Sequence, residues 1–238
     1  MNLLILEKED FTSPTEVSIS DRRHRHMLEV QKLKAGDSIK AGELNGLMGS
    51  ARVDHIDSES VSLTVDLLKE PPKPLPATLL LALPRPKMLK RTFQTLAAMG
   101  VKEIYLINAY RVDKSYWSTP ILAEASIREH MILGLEQAGD TQLPKVHIRK
   151  RFKPFVEDEL PSLANEKRAL IAHPYNASLC PNASDEETLI AIGPEGGFIP
   201  YEVDLMQHQG LEAIHLGERI LRVETAVPAL LSRLFPII

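Results

Sequence analysis

Residues 69–83 read KEPPKPLPATLLLAL, and the change of character inside this stretch decides the fold. Its first nine residues hold four prolines, Pro71, Pro72, Pro74 and Pro76. Proline lacks a backbone N–H and locks φ, so such a run fits neither a helix interior nor a central strand. It reads as a stiff linker, residues 71–77, between two domains. The TLLLAL that follows is continuously apolar, as a strand is when both faces of a parallel sheet are covered.

Working outward, residues 1–70 are short and β-like. Residues 38–41 and 47–53 resemble strands, with Gly36, Gly42, Gly46 and Gly49 as turns. Residues 60–67, SVSLTVDL, alternate polar and apolar as a half-buried strand does. Met27, Val30 and Leu33 recur at helical spacing and predict a short helix over 22–33. The sum is a small β-barrel-like domain with 9 basic and 13 acidic residues. Residues 78–238 alternate strands and helices. Met88, Leu89, Thr92, Phe93 and Leu96 share one helical face, Lys87, Lys90, Arg91 and Gln94 the other, and Gly100 caps the end. Further strands are expected over 103–108, 146–148, 169–172, 188–192 and 213–216. Helices are expected from Thr119 and Pro120 to Ala138, over 200–209 and over 224–235. This βαβα rhythm predicts an α/β fold with a mostly parallel sheet covered by helices.

The chain of 238 residues is 44% hydrophobic and 25% charged, an ordinary globular mixture that excludes disorder and low-complexity polymer. No apolar run approaches the ~20 residues of a membrane span. The opening MNLLILEKEDF has no basic residue before a short apolar run, unlike a signal peptide. The single cysteine, Cys180, excludes an intramolecular disulfide and a Cys-rich zinc site. A cytoplasmic protein without membrane attachment is expected. The net charge of −4 gives no global pull on nucleic acid, so RNA would bind at local patches.

Two segments follow expected strands, where open α/β sheets place their ligands. Residues 192–198, IGPEGGF, combine Pro194 with the flexible Gly196 and Gly197. The segment lacks the Lys-Ser/Thr of a phosphate-binding P-loop, and Glu195 would repel phosphate, which speaks against an enzyme for small phosphorylated substrates. Residues 216–226, LGERILRVETA, place two arginines and two glutamates among apolar residues. Taken singly, each segment also reads as an ordinary tight turn or as a loop and helix start.

Together, and with HPYNAS at 173–178 and LALPRPKM at 81–88, these segments resemble the ribosomal RNA small subunit methyltransferase E family of the SPOUT superfamily. The resemblance runs over essentially the whole chain. It implies a PUA-like β-barrel RNA-binding domain (1–70) and a SPOUT methyltransferase domain (78–238) with a trefoil knot. It further implies S-adenosyl-L-methionine as cofactor without a metal, a homodimer, and methylation of N3 of a uridine in 16S rRNA of the small ribosomal subunit. The expected dimer interface takes in part of Leu230, Leu231 and Leu234. A divergent paralogue with another RNA target, or a non-catalytic RNA-binding assembly factor, are the alternatives.

The resemblance assigns cofactor contacts to His173, Gly193, Glu195, Gly196, Gly197, Leu216, Gly217, Ile220, Leu221, Thr225 and Ala226. Arg222 and Glu224 become the catalytic candidates: a permanent planar cation suits the uracil oxygens, and a carboxylate suits the N3 proton. RNA contacts fall to Arg22, Arg23, Arg25 and His26, with further basic patches over 85–91 and 145–153. Three positions depart from the family pattern. Asp140 stands where an arginine usually follows Glu-Gln-x-Gly, the helix ending at Gly100 closes Ala98-Met99-Gly100 rather than Glu-Leu-Gly, and Val30-Gln31-Lys32 replaces Val-Leu-Arg.

Overall fold

The computed structural model describes Met1–Pro236 as two compact units. One comprises residues 1–73 and 132–143, the other residues 74–131 and 144 onward. The division is therefore not a single cut at the proline run. Within that run, Leu75 donates its N–H to the Gly100 carbonyl at 3.0 Å and the Pro76 carbonyl accepts from Thr188 at 2.8 Å, which ties this end of it to the second unit.

The first unit opens with the apolar stretch that begins the chain. Leu4–Leu6 is a fully buried strand, β1, followed by β2 (Phe11–Ser13) and β3 (Glu16–Ile19). A short helix α1 (Arg22–Arg25) widens into a π-helical turn, His26–Gln31, and Lys32 closes it at φ 54°. The hairpin strands β4 (Ser38–Glu43), β5 (Met48–Ile56) and β6 (Val61–Lys69) follow. The sheet order is β1-β4-β5-β6-β3-β2, antiparallel except where β1 runs parallel to β4. The alternation in SVSLTVDL points Val61, Leu63 and Val65 into a core with Leu4, Leu6, Val17, Ile19, Met27 and Val53. The helix expected over 22–33 is present as α1 and the π-helical turn, whereas the first three strands leave no clear periodicity in so few residues, and the sequence reading missed them.

The second unit starts with β7 (Ala77–Ala82), buried at every residue as the TLLLAL run requires. Helix α2 (Pro86–Ala98) buries Leu89, Thr92, Phe93, Leu96 and Ala97, and Gly100 at φ +80° turns the chain out of it. Strand β8 (Glu103–Ile107) follows. Helix α3 (Glu124–Ala138) begins later than Thr119 and Pro120 suggest, because Ala123 is extended and those two residues cap only a single 3-10 turn. Then come β9 (Lys145–Arg149), the short helices α4 (Phe152–Pro154) and α5 (Leu160–Ala164), β10 (Arg168–Ala172) and β11 (Ser178–Leu179). The chain ends with β12 (Thr188–Ile192), α6 (Pro200–His208), β13 (Glu212–His215) and α7 (Val223–Leu234). All seven strands are parallel, in the order β11-β13-β10-β12-β7-β8-β9. Leu230, Leu231 and Leu234 are buried in the chain's own core, because α7 packs this face inward beside α2. They are not apolar faces left over for a partner subunit. Among the described residues no helix is long and apolar enough to cross a membrane.

Candidate active site

Parallel strands bring their carboxyl ends to one edge, so the loops after β10, β12 and β13 converge there. A cleft of about 530 Å³ forms between them. Of the expected cofactor contacts it is lined by His173, Gly193, Glu195, Gly196, Gly197, Ile220, Leu221 and Ala226. Leu216 and Gly217 line a smaller cavity of about 100 Å³ that shares His173, Ile220, Leu221 and Ala226 with the cleft. The three motifs are far apart in the chain, and the sheet gathers them.

The loop after β12 is built for close approach. Gly197 donates to the Pro194 carbonyl at 2.7 Å and sits at φ +72°, a conformation that disfavours side chains with a Cβ. A Cβ on Gly193 would lie 3.0 Å from the Phe198 backbone nitrogen. Two neighbours fasten this loop. Glu195 Oε1 accepts the backbone N–H of Arg85 at 3.0 Å, and Arg111 Nη1 donates to the Gly196 carbonyl.

His173 follows β10 and donates its backbone N–H to the Ile214 carbonyl at 2.9 Å. Its ring stands edge-on to Tyr175, centroids 5.8 Å apart. Its Nδ1 is buried without a hydrogen-bond partner among the described residues. Burial pushes the imidazole pKa below its ordinary value, so the ring is neutral at neutral pH.

The segment after β13 turns at Gly217, φ +114°, whose N–H bonds His215 Nδ1 at 3.0 Å. Ile220 is 70% exposed although it lines the cleft. Arg222 is the N-cap of α7; its carbonyl accepts from Thr225 and Ala226 while its side chain makes no cap and is exposed. Glu224 is half-buried and Thr225 exposed, and neither they nor Arg222 line the cleft. No ion pair joins Arg222 to Glu224 among the described residues.

The expected RNA contacts divide. Arg22 makes a bidentate pair with Glu136 at 2.8 and 3.0 Å. Arg23 is 7% exposed, and all five guanidinium N–H groups are committed to Asp10, Asp21 and the Ile5 carbonyl. A group so saturated holds the fold and has no donor left for phosphate. Arg25 is exposed and His26 half-buried. In the 145–153 patch, Arg149 pairs with Glu159 and Lys153 with Glu157, leaving Lys150 and Arg151 exposed. Asp140 accepts the Gln142 N–H at 2.8 Å, a turn role that an arginine could not fill.

Sequence reasoning missed Arg111 and Glu202. Glu202, 3% exposed, accepts the N–H of Ile199 at 3.0 Å and of Tyr110 at 2.7 Å. A glutamate in the third position of a helix that opens on Pro200 is a signal for the first bond. Nothing local signals the second, or the reach of Arg111 to Gly196.

Residues 71–235 match the RNA methyltransferase domain family. The ribosomal RNA small subunit methyltransferase E of Treponema pallidum is 31% identical over 235 residues, covering 96% of this chain and 88% of that protein. The Borreliella burgdorferi protein called ribosomal RNA small subunit methyltransferase E 1 is 27% identical, covering 96% and 95%. The crystal structure of the Neisseria gonorrhoeae ribosomal RNA small subunit methyltransferase E bound to S-adenosyl methionine shares the fold: TM-score 0.76 at 24% identity, over 98% of this chain and 95% of that one. This chain belongs to the ribosomal RNA small subunit methyltransferase E family of RNA methyltransferases.

Proposed function

We propose that this protein transfers a methyl group from S-adenosyl-L-methionine to N3 of a uridine in 16S rRNA of the small ribosomal subunit. The observation that carries the reading is the convergence of IGPEGG and LGERILRVETA on one cleft with the His173 ring. The cleft suits the cofactor on its own evidence. The orphaned Nδ1 of His173 is a polar site for a ligand group, and Gly193 lets the loop fold tightly onto Phe198, which holds the loop backbone at the cleft. When bound, S-adenosylmethionine supplies an electrophilic methyl on its sulfonium.

The chain's residues do the rest. The Gly193–Gly197 backbone can meet the edges of adenine and ribose, and Ile220 and Leu221 give the apolar walls usual in ligand sites. Arg222 holds the uracil oxygens and stabilises the negative charge that develops as the N3 proton leaves. Glu224 accepts that proton. Arg25 and His26 engage RNA phosphates from a PUA-like domain. We extend the proposal to a trefoil knot and a homodimer. The position of β10 between β12 and β13, which both follow it in the chain, favours the knot. The exposed Ile220 and Leu221 favour a subunit interface beside the cleft. The test is nucleoside mass spectrometry of rRNA from cells lacking the protein. Loss of 3-methyluridine from small-subunit rRNA, restored by the purified protein with labelled cofactor, is expected. Unchanged methylation would overturn the reading.

A further inference from the structure

We propose that the turn carrying Tyr110 and Arg111 is a base-stacking platform for unpaired RNA at the rim of the cleft, an inference that rests on the RNA methyl-transfer reading. Ala109–Val112 is a tight turn, closed by the Val112 N–H on the Ala109 carbonyl at 3.0 Å. Its two ends are buried and its two central residues, Tyr110 and Arg111, project outward. Tyr110 is 79% exposed. Yet its backbone is pinned, because its N–H is held at 2.7 Å by the buried Glu202 carboxylate, itself fixed on Ile199. The ring is thus offered to solvent from a rigid mount.

Its neighbour is committed to the site. Arg111 lines the cleft and donates to the Gly196 carbonyl, so the turn is coupled to the glycine loop. A second exposed ring, Tyr175, lines the same cleft. Lys114 follows, exposed. Exposed rings interleaved with permanent cations are what proteins use to bind single strands: bases stack on the rings, and the cations meet the backbone. Paired bases offer no free face, so the platform selects a nucleotide already out of a helix, or flipped from one.

The probe is a short fluorescein-labelled oligouridylate, with a duplex of equal length as its control, titrated into the full-length wild type and into Tyr110→Ala, Tyr110→Phe and Tyr110→Leu. Tyr110→Ala and Tyr110→Leu should bind the single strand roughly tenfold or more weakly, the scale of one lost base–aromatic stack. The KM for RNA should rise in step, with melting temperature and cofactor affinity unchanged, while Tyr110→Phe behaves as wild type. Wild-type affinity in Tyr110→Ala would overturn the proposal. So would a preference for the duplex, or a loss of RNA affinity that tracks a change of mass in light scattering, which would give the ring to a protein contact. Oligouridylate binding is read without cofactor, so failure of methyl transfer in the wild type would strike the functional reading and leave this measurement standing.

Discussion

The Glu195 carboxylate accepts the backbone N–H of Arg85 at 3.0 Å, joining the loop after β12 to the entry of α2. The glutamate of IGPEGG is therefore a strut as well as a lining residue of the cleft. The geometry gives it a testable cost.

Glu195→Ala removes the acceptor, and Glu195→Gln keeps a carbonyl oxygen in its place. We expect the alanine variant to lose about 1 kcal/mol of stability or less, since the pair is exposed, and to bind S-adenosylmethionine several-fold more weakly. The glutamine variant should keep most of both. Calorimetric titration of the two variants checks it; equal losses would show that charge, not the strut, matters.

The glycine loop should respond unequally to added methyl groups. At Gly197 the positive φ costs a residue with a Cβ ~1–2 kcal/mol, so Gly197→Ala should lower stability in denaturant by that amount. At Gly193 the Cβ would press on the Phe198 backbone at 3.0 Å, so Gly193→Ala should shift the loop and weaken cofactor binding about tenfold or more. At Gly196 the nearest obstacle, at 2.9 Å, is the Arg111 side chain, which would have to shift from its bond to the Gly196 carbonyl, so Gly196→Ala should loosen the loop and also weaken cofactor binding.

Arg222→Ala should lower the single-turnover methylation rate roughly ten- to a hundredfold, at ~1.4 kcal/mol per factor of ten. Because Arg222 is exposed and its side chain neither caps α7 nor pairs with Glu224, stability should stay within about 0.5 kcal/mol of wild type. Melting temperature, cofactor affinity and rate measured on one preparation decide it. Full activity would remove Arg222 from the reaction.

Arg23→Ala should unfold the first unit more readily, by about 3 kcal/mol, because it strands the Asp10 carboxylate and the Ile5 carbonyl without a donor. Arg25→Ala should leave stability alone. Burial by itself would raise the Asp21 pKa, but hydrogen bonds and charge from Arg23 outweigh it and hold the carboxyl below its ordinary value. A depressed carboxyl adds stability that is present above its unfolded pKa and lost as pH falls through the folded one. Acid unfolding below about pH 4 should thus be less steep in Arg23→Ala than in wild type.

His173 titrates in the opposite chemical sense with the same direction of pH. Its folded pKa is depressed by burial below 6.5, so its contribution is present above that pH and lost as pH falls through the folded value. Melting curves of wild type and His173→Asn should converge as pH drops below ~6.5. Parallel curves would show that the ring is not desolvated.

Much of the second unit is legible in local pattern. TLLLAL has no polar position to face water, so it must be a doubly covered strand, and α2 carries its apolar face at helical spacing. Both glycine-bearing motifs stand out in the sequence itself, because they depend on residues whose backbone freedom is rare elsewhere. The first unit was half legible: the alternation in SVSLTVDL is long enough to read, whereas β1, β2 and β3 are too short for a period to emerge.

What the sequence by itself determined, then, is the pattern of burial and the identity of the motifs, since both are encoded in neighbours along the chain. Which motif residues share a cleft is a property of the parallel sheet. It sets the ends of β10, β12 and β13 side by side, while Arg222 and Thr225 stay outside the lining. The roles of Arg23, Glu195, Arg111 and Glu202 were decided only in three dimensions. Each depends on a partner outside its own local pattern, such as Asp10 for Arg23, the Arg85 amide for Glu195 or the Tyr110 amide for Glu202. A charged side chain reads the same on paper whether it faces solvent or is saturated by buried partners. Only the tertiary structure settles which free energy, hydration or pairing, it has taken up.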